Sequence, residues 1–148
     1  MTARAWTTTA IAALALLCFG APRALAFGTD MPLLAALRDL VAGNISAYDH
    51  KDIDATMRTI DTRSPDYAPT KDALATQFKD LDVKSELVSF DYMGHDDEFA
   101  VARVKTKTTG KPGTGFTDNT VDAIMLFHQQ NGEWKLWSEQ ILGVQVAQ

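Results

Sequence analysis

The stretch TVDAIMLFHQQNGEWKLWSEQIL, Thr120 to Leu142, holds Asp122, His128, Trp134, Trp137 and Glu139 close together in sequence. Carboxylates beside an imidazole are groups that move protons, and indoles are surfaces on which a flat ligand packs. Whether they act together depends on facing, because successive side chains of a strand point to opposite sides of a sheet. Asn131-Gly132 between two apolar, β-branched and aromatic runs is a strong hairpin signal. It predicts Gln130 opposite Glu133, Gln129 opposite Trp134, and the same register outward. One face then carries Val121, Ala123, Met125, Phe127, Trp134, Leu136, Ser138, Gln140 and Leu142, and the other Asp122, Ile124, Leu126, His128, Lys135, Trp137, Glu139 and Ile141.

Only the first face is apolar enough to be the concave, covered side, so Met125, Phe127 and Trp134 are expected as core or pocket wall. Ser138 and Gln140 on that face need hydrogen-bond partners, which a ligand, a water or neighbouring backbone would supply. Asp122, His128 and Glu139 are expected outside, solvated or turned toward a second subunit, with His128 opposite Lys135. Ile124, Leu126, Trp137 and Ile141 share that face, with Phe99 and Val101 extending it. An apolar patch of that kind predicts a homodimer through the convex sheet face, with two-fold symmetry.

No other stretch supplies a reaction motif. His95 in GHDDE and His50 in YDHKD lie among carboxylates but lack the spacing of a metal ligand set, so neither metal nor cofactor is expected. GKPGTG lacks the lysine-threonine ending and following helix of a phosphate loop. Asp118 and Asn119 are placed for turn capping or for contact with a ligand. No catalytic residue is assigned.

The elements that position these residues follow from periodicity. Leu33, Leu37, Leu40, Val41, Ile45 and Tyr48 recur at three and four, which predicts a helix over 31–48, capped by Asp30 and opened by Pro32. After the corner YDHKD, Ile53, Met57 and Ile60 predict a short second helix. The turn-rich TRSPDYAP ends that unit, and TKDALATQFKDL predicts a third helix with Thr70 as N-cap. Beyond Asp82 the period changes to two, predicting strands over 83–93, 98–109, 116–129 and 133–144. Helices followed by an antiparallel meander give an α+β domain.

Residues 1–26 combine an early Arg4, an apolar run from Ala10 to Gly20 and a small-x-small ending at Ala24 to Ala26, the pattern of a cleaved secretory signal. The run is too short to span a membrane. Periplasmic or extracellular export of a domain over 27–148 is therefore expected. Cys18, the one cysteine, lies inside the signal, so the remaining chain has no thiol for a nucleophile, a metal or a disulfide. The whole chain has a net charge of −5; without Arg4 and Arg23 it has 12 basic and 19 acidic residues, or −7. That balance argues against nucleic acid or an anionic membrane as partner.

The helix running into AYDHKDIDATM and the closing FTDNTVDAIMLFHQQNGEWKLWSEQI resemble the NTF2-like superfamily, in particular its SnoaL-like and DUF4440-like small bacterial domains. The resemblance covers nearly all of residues 27–148. It implies a cone: three N-terminal helices packed on a strongly curved antiparallel sheet, with a pocket between them. It also implies Tyr48, at the end of the first helix, and Tyr92, on the first strand, as positional candidates for hydrogen-bond donors in that pocket. The superfamily contains isomerases, cyclases and dehydratases as well as non-catalytic members. The expectation drawn here is a domain that binds a small apolar or amphipathic ligand. A SnoaL-like or ketosteroid-isomerase-like enzyme is the first alternative, and a structural or protein-interaction domain the second.

Overall fold

A computed structural model describes residues 31–147. The expected signal over residues 1–26, Cys18 within it and the Asp30 cap lie outside the described residues. Three helices, α1 (Met31–Asp49), α2 (Ile53–Arg58) and α3 (Tyr67–Asp80), precede four strands, β1 (Val83–His95), β2 (Phe99–Gly110), β3 (Asn119–Gln130) and β4 (Glu133–Val146). The strands form one antiparallel sheet in the order β1-β2-β3-β4. This is the α+β arrangement expected for a cone, with the helices on its concave side.

Leu33, Leu37 and Val41, each four residues from the next, form the buried stripe of α1. They pack on Ala100, Ala102 and Val104 of β2 and on Phe127 of β3. Alanine at two of these β2 positions keeps the sheet surface low, and Phe127, fully buried, fills the space that remains. Lys51, with φ of 57°, turns the corner after α1, and Asp52 caps α2 by accepting a 2.8 Å hydrogen bond from the Ala55 N–H. Asn131 and Gly132 both have positive φ, 53° and 84°, as a two-residue turn matched to the twist of its strands requires.

Two elements start three or more residues away from the sequence expectation. Helix α3 begins at Tyr67, with Asp66 rather than Thr70 at its N-cap, so Pro69 lies inside the first turn. A first-turn residue has no intrahelical partner for its N–H, and proline is tolerated there. Strand β3 begins at Asn119 rather than Phe116, because 116–118 are taken up by the turn. There the Asp118 side chain accepts from the Gly110 N–H at 2.9 Å, so Asp118 is a turn-closing residue.

The larger difference is register. Phe127 pairs with Leu136 as expected, but Leu126 pairs with Ser138, so Trp137 is an extra residue in β4; a second shift leaves Leu142 extra. In β1, Val88 and Met93 are skipped in the same way. A bulge bends its strand and sharpens the twist, so these four positions curve the sheet into a cone wall. They also account for several exposed apolar side chains: Val88, Met93 and Leu142 are bulge residues pushed out of the alternation.

The segment after α2 adds to the β4 edge. Asp61 N–H donates to the Leu136 carbonyl and Leu136 N–H to the Thr59 carbonyl, both at 2.8 Å, forming a short parallel bridge between Ile60 and Leu136. This closes one half of an otherwise open strand edge.

Candidate functional site

Between the helices and the β3–β4 side of the sheet lies a pocket of about 180 Å³. Leu74, Ile60, Met125 and Leu136 supply its apolar surface, while Asn44, Tyr48, Thr70, Gln77, Ser138 and Glu139 supply polar groups. Asp66 and Trp137 complete the rim together with buried Thr56. Each helix contributes, because α1 ends, α2 turns and α3 begins around the same opening.

The bulge at Trp137 determines which acid reaches this pocket. Beyond it the pairing shifts by one, so Glu139 stands opposite Met125 and takes that residue's face. An unbroken register puts Glu139 outside; the structure corrects that expectation. Glu139 remains open to solvent on the pocket side while protein encloses its other sides. That enclosure raises its pKa above the ordinary carboxylate value, and the nearby charge of Asp66 adds to the rise.

Tyr48 lies in the wall with its hydroxyl donating to Gln77 Oε1 at 3.1 Å and its ring edge-on to Phe78 at 5.0 Å. Burial raises the Tyr48 pKa, with Asp49 contributing, so the phenol is held in its proton-donating form. Asn44 Nδ2 donates to Thr59 Oγ1 at 2.7 Å, which fixes the amide at the pocket edge.

Of the residues singled out from sequence, Tyr48, Met125 and Ser138 line this pocket, although Ser138 is paired with Leu126 rather than held on the concave face. Gln140, one step past the shift, pairs with Ile124 and is exposed. Phe127 belongs wholly to the core under α1. Trp134 packs against that core and borders a separate surface hollow with Gln129, His95 and Leu33. Tyr92 is on β1, partly buried against the core, with its hydroxyl bonded to His95 Nδ1. Sequence reasoning did not pick out Asn44, Asp66 and Gln77, took Thr70 only as a helix cap, and placed Glu139 on the outer face. For Glu139 the only available signal was an apolar face that became polar after Leu136, a place where a bulge re-aims the strand.

His128 also departs from expectation. It shares the outer face with Phe99 and Trp137, with ring centroids 4.7 Å and 4.9 Å from its own, but it is only 12% exposed. Its Nδ1 lies 2.6 Å from Oδ2 of Asp61, a carboxylate with no solvent exposure. Asp61 also accepts from the Arg63 backbone N–H at 2.8 Å and from the Arg63 guanidinium at 3.4 Å. Burial works to raise the Asp61 pKa, but the Arg63 backbone, His128 and the guanidinium outweigh it and hold the carboxyl below its ordinary range. Asp122, expected outside, is there: Arg103 grips it at 2.8 and 2.6 Å and Lys105 stands 3.8 Å away.

Among the described residues no group of three histidine, cysteine or acidic side chains is placed to hold a metal, and no helix is long and apolar enough to cross a membrane. His50, just past the end of α1, has its Nδ1 2.7 Å from the Ser46 carbonyl of that helix.

Solved structures with this fold are numerous. A protein of unknown function from Mycobacterium tuberculosis superposes with a TM-score of 0.67 at 10% identity, over 75% of this chain and 71% of that one. An NTF2-like protein of unknown function from Shewanella oneidensis gives 0.59 at 13%, over 75% and 98%. A ketosteroid isomerase-like protein from Erwinia carotovora gives 0.56 at 16%, over 74% and 96%. At such identities the likeness is one of fold, and the fold is NTF2-like. Comparison with curated proteins gives no match. The family that matches is not the DUF4440-like group: its model aligns with residues 39–146, most of the chain and every strand, and the chain belongs to the family described as the C-terminal domain of anti-sigma-I factor RsgI9.

Proposed function

We propose that this domain binds a small amphipathic molecule in the pocket between α1–α3 and the β3–β4 wall. The observation that carries this reading is the pocket's mixed lining: apolar Leu74, Ile60, Met125 and Leu136 together with the polar groups of Tyr48, Asn44 and Glu139. Ligand sites are built in this way, largely apolar with a few converging polar groups. A volume of about 180 Å³ suits a compact ligand better than a steroid-sized one. The matching family is named for a C-terminal domain of an anti-sigma factor, a setting in keeping with binding rather than turnover.

The test is a thermal-shift screen of residues 27–148 against small aromatic and aliphatic amphiphiles, alongside a Met125→Trp variant that fills the pocket from the concave face. A ligand at 100 times its dissociation constant stabilises by about 2.7 kcal/mol. Stabilisation of the parent domain that disappears in the filled variant supports the reading; absence of any stabilisation across the set overturns it.

A second reading is favoured by one observation, the raised pKa of Glu139 within reach of a pocket that also holds the Tyr48 phenol. Those groups would serve proton transfer in an isomerase, cyclase or dehydratase. Turnover of a bound ligand, abolished by Glu139→Gln with binding retained, would distinguish an enzyme from a binding domain.

We propose further that the chain is exported, on the pattern of residues 1–26, and that it forms a homodimer through the convex face of the sheet. Partly exposed Phe99, Ile124, Leu126 and Trp137 supply the apolar surface of that face. Light scattering coupled to size exclusion tests the second point, and a clean monomer at micromolar concentration refutes it.

A further inference from the structure

We propose that the pocket selects small organic cations, protonated amines bearing an apolar group, over neutral or anionic molecules of the same shape. This inference rests on the reading that the pocket binds a small molecule, and it is drawn from the charge of the lining. The wall contains two carboxylates, Glu139 and Asp66, and no lysine, arginine or histidine. Neither carboxylate takes part in an ion pair or accepts a side-chain hydrogen bond among the described residues. By contrast Asp61, Asp82, Asp122 and Glu133 each have a cationic partner.

The pocket opening therefore presents two uncompensated carboxylates with no cation in the lining to offset them. The raised pKa of Glu139 is the local sign of that field, since enclosure and Asp66 both disfavour its charge. An anionic ligand would add a third negative charge. A neutral one would leave the two carboxylates opposed. An ammonium group at this opening offsets that charge and donates to a carboxylate, while the apolar surface from Leu74, Met125 and Leu136 takes the hydrocarbon end.

The experiment is calorimetric titration at pH 7 and 150 mM salt with three probes of matched shape: 2-phenylethylamine, 2-phenylethanol and 3-phenylpropionate. The amine is expected to bind about tenfold or more tightly than the alcohol, a difference of one decade in Kd, and the acid weakest of all. Glu139→Gln and Asp66→Asn should each remove most of that preference, read as the ratio of amine to alcohol Kd within each variant. Asp80→Asn, an acid on α3 outside the pocket, controls for the general negative charge of the protein and should change nothing. Equal binding of amine and alcohol overturns the charge inference and leaves the binding pocket intact, as does equal loss in the Asp80 variant. Failure of all three probes overturns both.

Discussion

His128 Nδ1 stands 2.6 Å from Oδ2 of Asp61, and this hydrogen bond ties the outer face of β3 to the segment that follows α2. An ionised carboxylate only accepts and a guanidinium only donates, so the Nδ1 proton belongs on the Asp61 side, with Arg63 Nη2 as a 3.1 Å neighbour. Because the same segment forms the Ile60–Leu136 bridge and Ser64 Oγ donates to the Trp137 carbonyl, Asp61 sits at the centre of the clasp that holds α2 and α3 against β4. Removing this buried carboxylate strands the His128 Nδ1–H, which is only 12% exposed, while the exposed Arg63 guanidinium returns to water. Asp61→Ala is expected to lower stability by about 3 kcal/mol, measured by urea denaturation. A change below about 1 kcal/mol, the worth of an exposed pair, would show that the clasp is incidental.

The same carboxylate sets an acid limit. Its pKa is lower in the folded chain than the ordinary 3.8, so folding favours the ionised form. The stabilisation is fully present above the unfolded value and is lost as pH falls through the folded one. Denaturation midpoints of the parent protein should therefore drop on acidification below about pH 4, and Asp61→Asn should flatten that drop. Parallel profiles for the two proteins would assign acid sensitivity to other groups.

Glu139 has the opposite sign. Its pKa is raised above 4.5 by enclosure and by Asp66, so the folded chain holds the proton more tightly than the unfolded chain does. The charged form opposes folding at neutral pH, and that opposition fades as pH falls through the folded value. A carbon-detected NMR titration should give Glu139 a midpoint above the ordinary range, and Asp66→Asn should move it down. Glu139→Gln should stabilise the protein at pH 7, by less than about 1 kcal/mol because the side chain remains open to water. A Glu139 midpoint unmoved by Asp66→Asn would remove the electrostatic link between the two acids.

The core offers a sharper test of what the sheet needs. Phe127 is fully buried in the cluster formed by the α1 stripe and the β2 alanines. Phe127→Ala should cost about 3 to 5 kcal/mol. Leu142→Ser, at an exposed bulge residue of β4, should stay within about 0.5 kcal/mol. Similar losses at both sites would contradict the assignment of inner and outer faces.

These contrasts show where the sequence was informative. The stripe of Leu33, Leu37 and Val41 and the alternation around Phe127 were legible because burial repeats with the period of the element. The cone followed from them, as did the face shared by Phe99, His128 and Trp137. Ser138, Glu139, Gln140 and Ile141 were assigned to the wrong sides because a bulge inserts one residue without any required residue type, and each residue from it to the next bulge changes face. Asp61 was overlooked for another reason. It follows α2 in a turn-rich segment, and only tertiary packing brings it to His128, 67 residues away.

The turn that fixes the first part of this register can be tested directly. Gly132 has φ of 84°, and an added Cβ there would meet no atom within 4 Å, so substitution carries a backbone penalty without a clash. Gly132→Ala should destabilise by about 1 kcal/mol, the left-handed penalty for an L-residue. Asn131, at φ of 53°, already bears a side chain suited to that region, so Asn131→Gly should be nearly neutral. The four pairs from Gln130–Glu133 to Phe127–Leu136 depend on this turn, whereas pairs beyond Trp137 are separated from it by the bulge. Hydrogen exchange in the Gly132→Ala variant should accelerate at Gln129 and Lys135 more than at Ala123 and Ile141. Uniform acceleration along the hairpin would mean that the turn, rather than the clasp at Leu136, holds the whole of β4 in place.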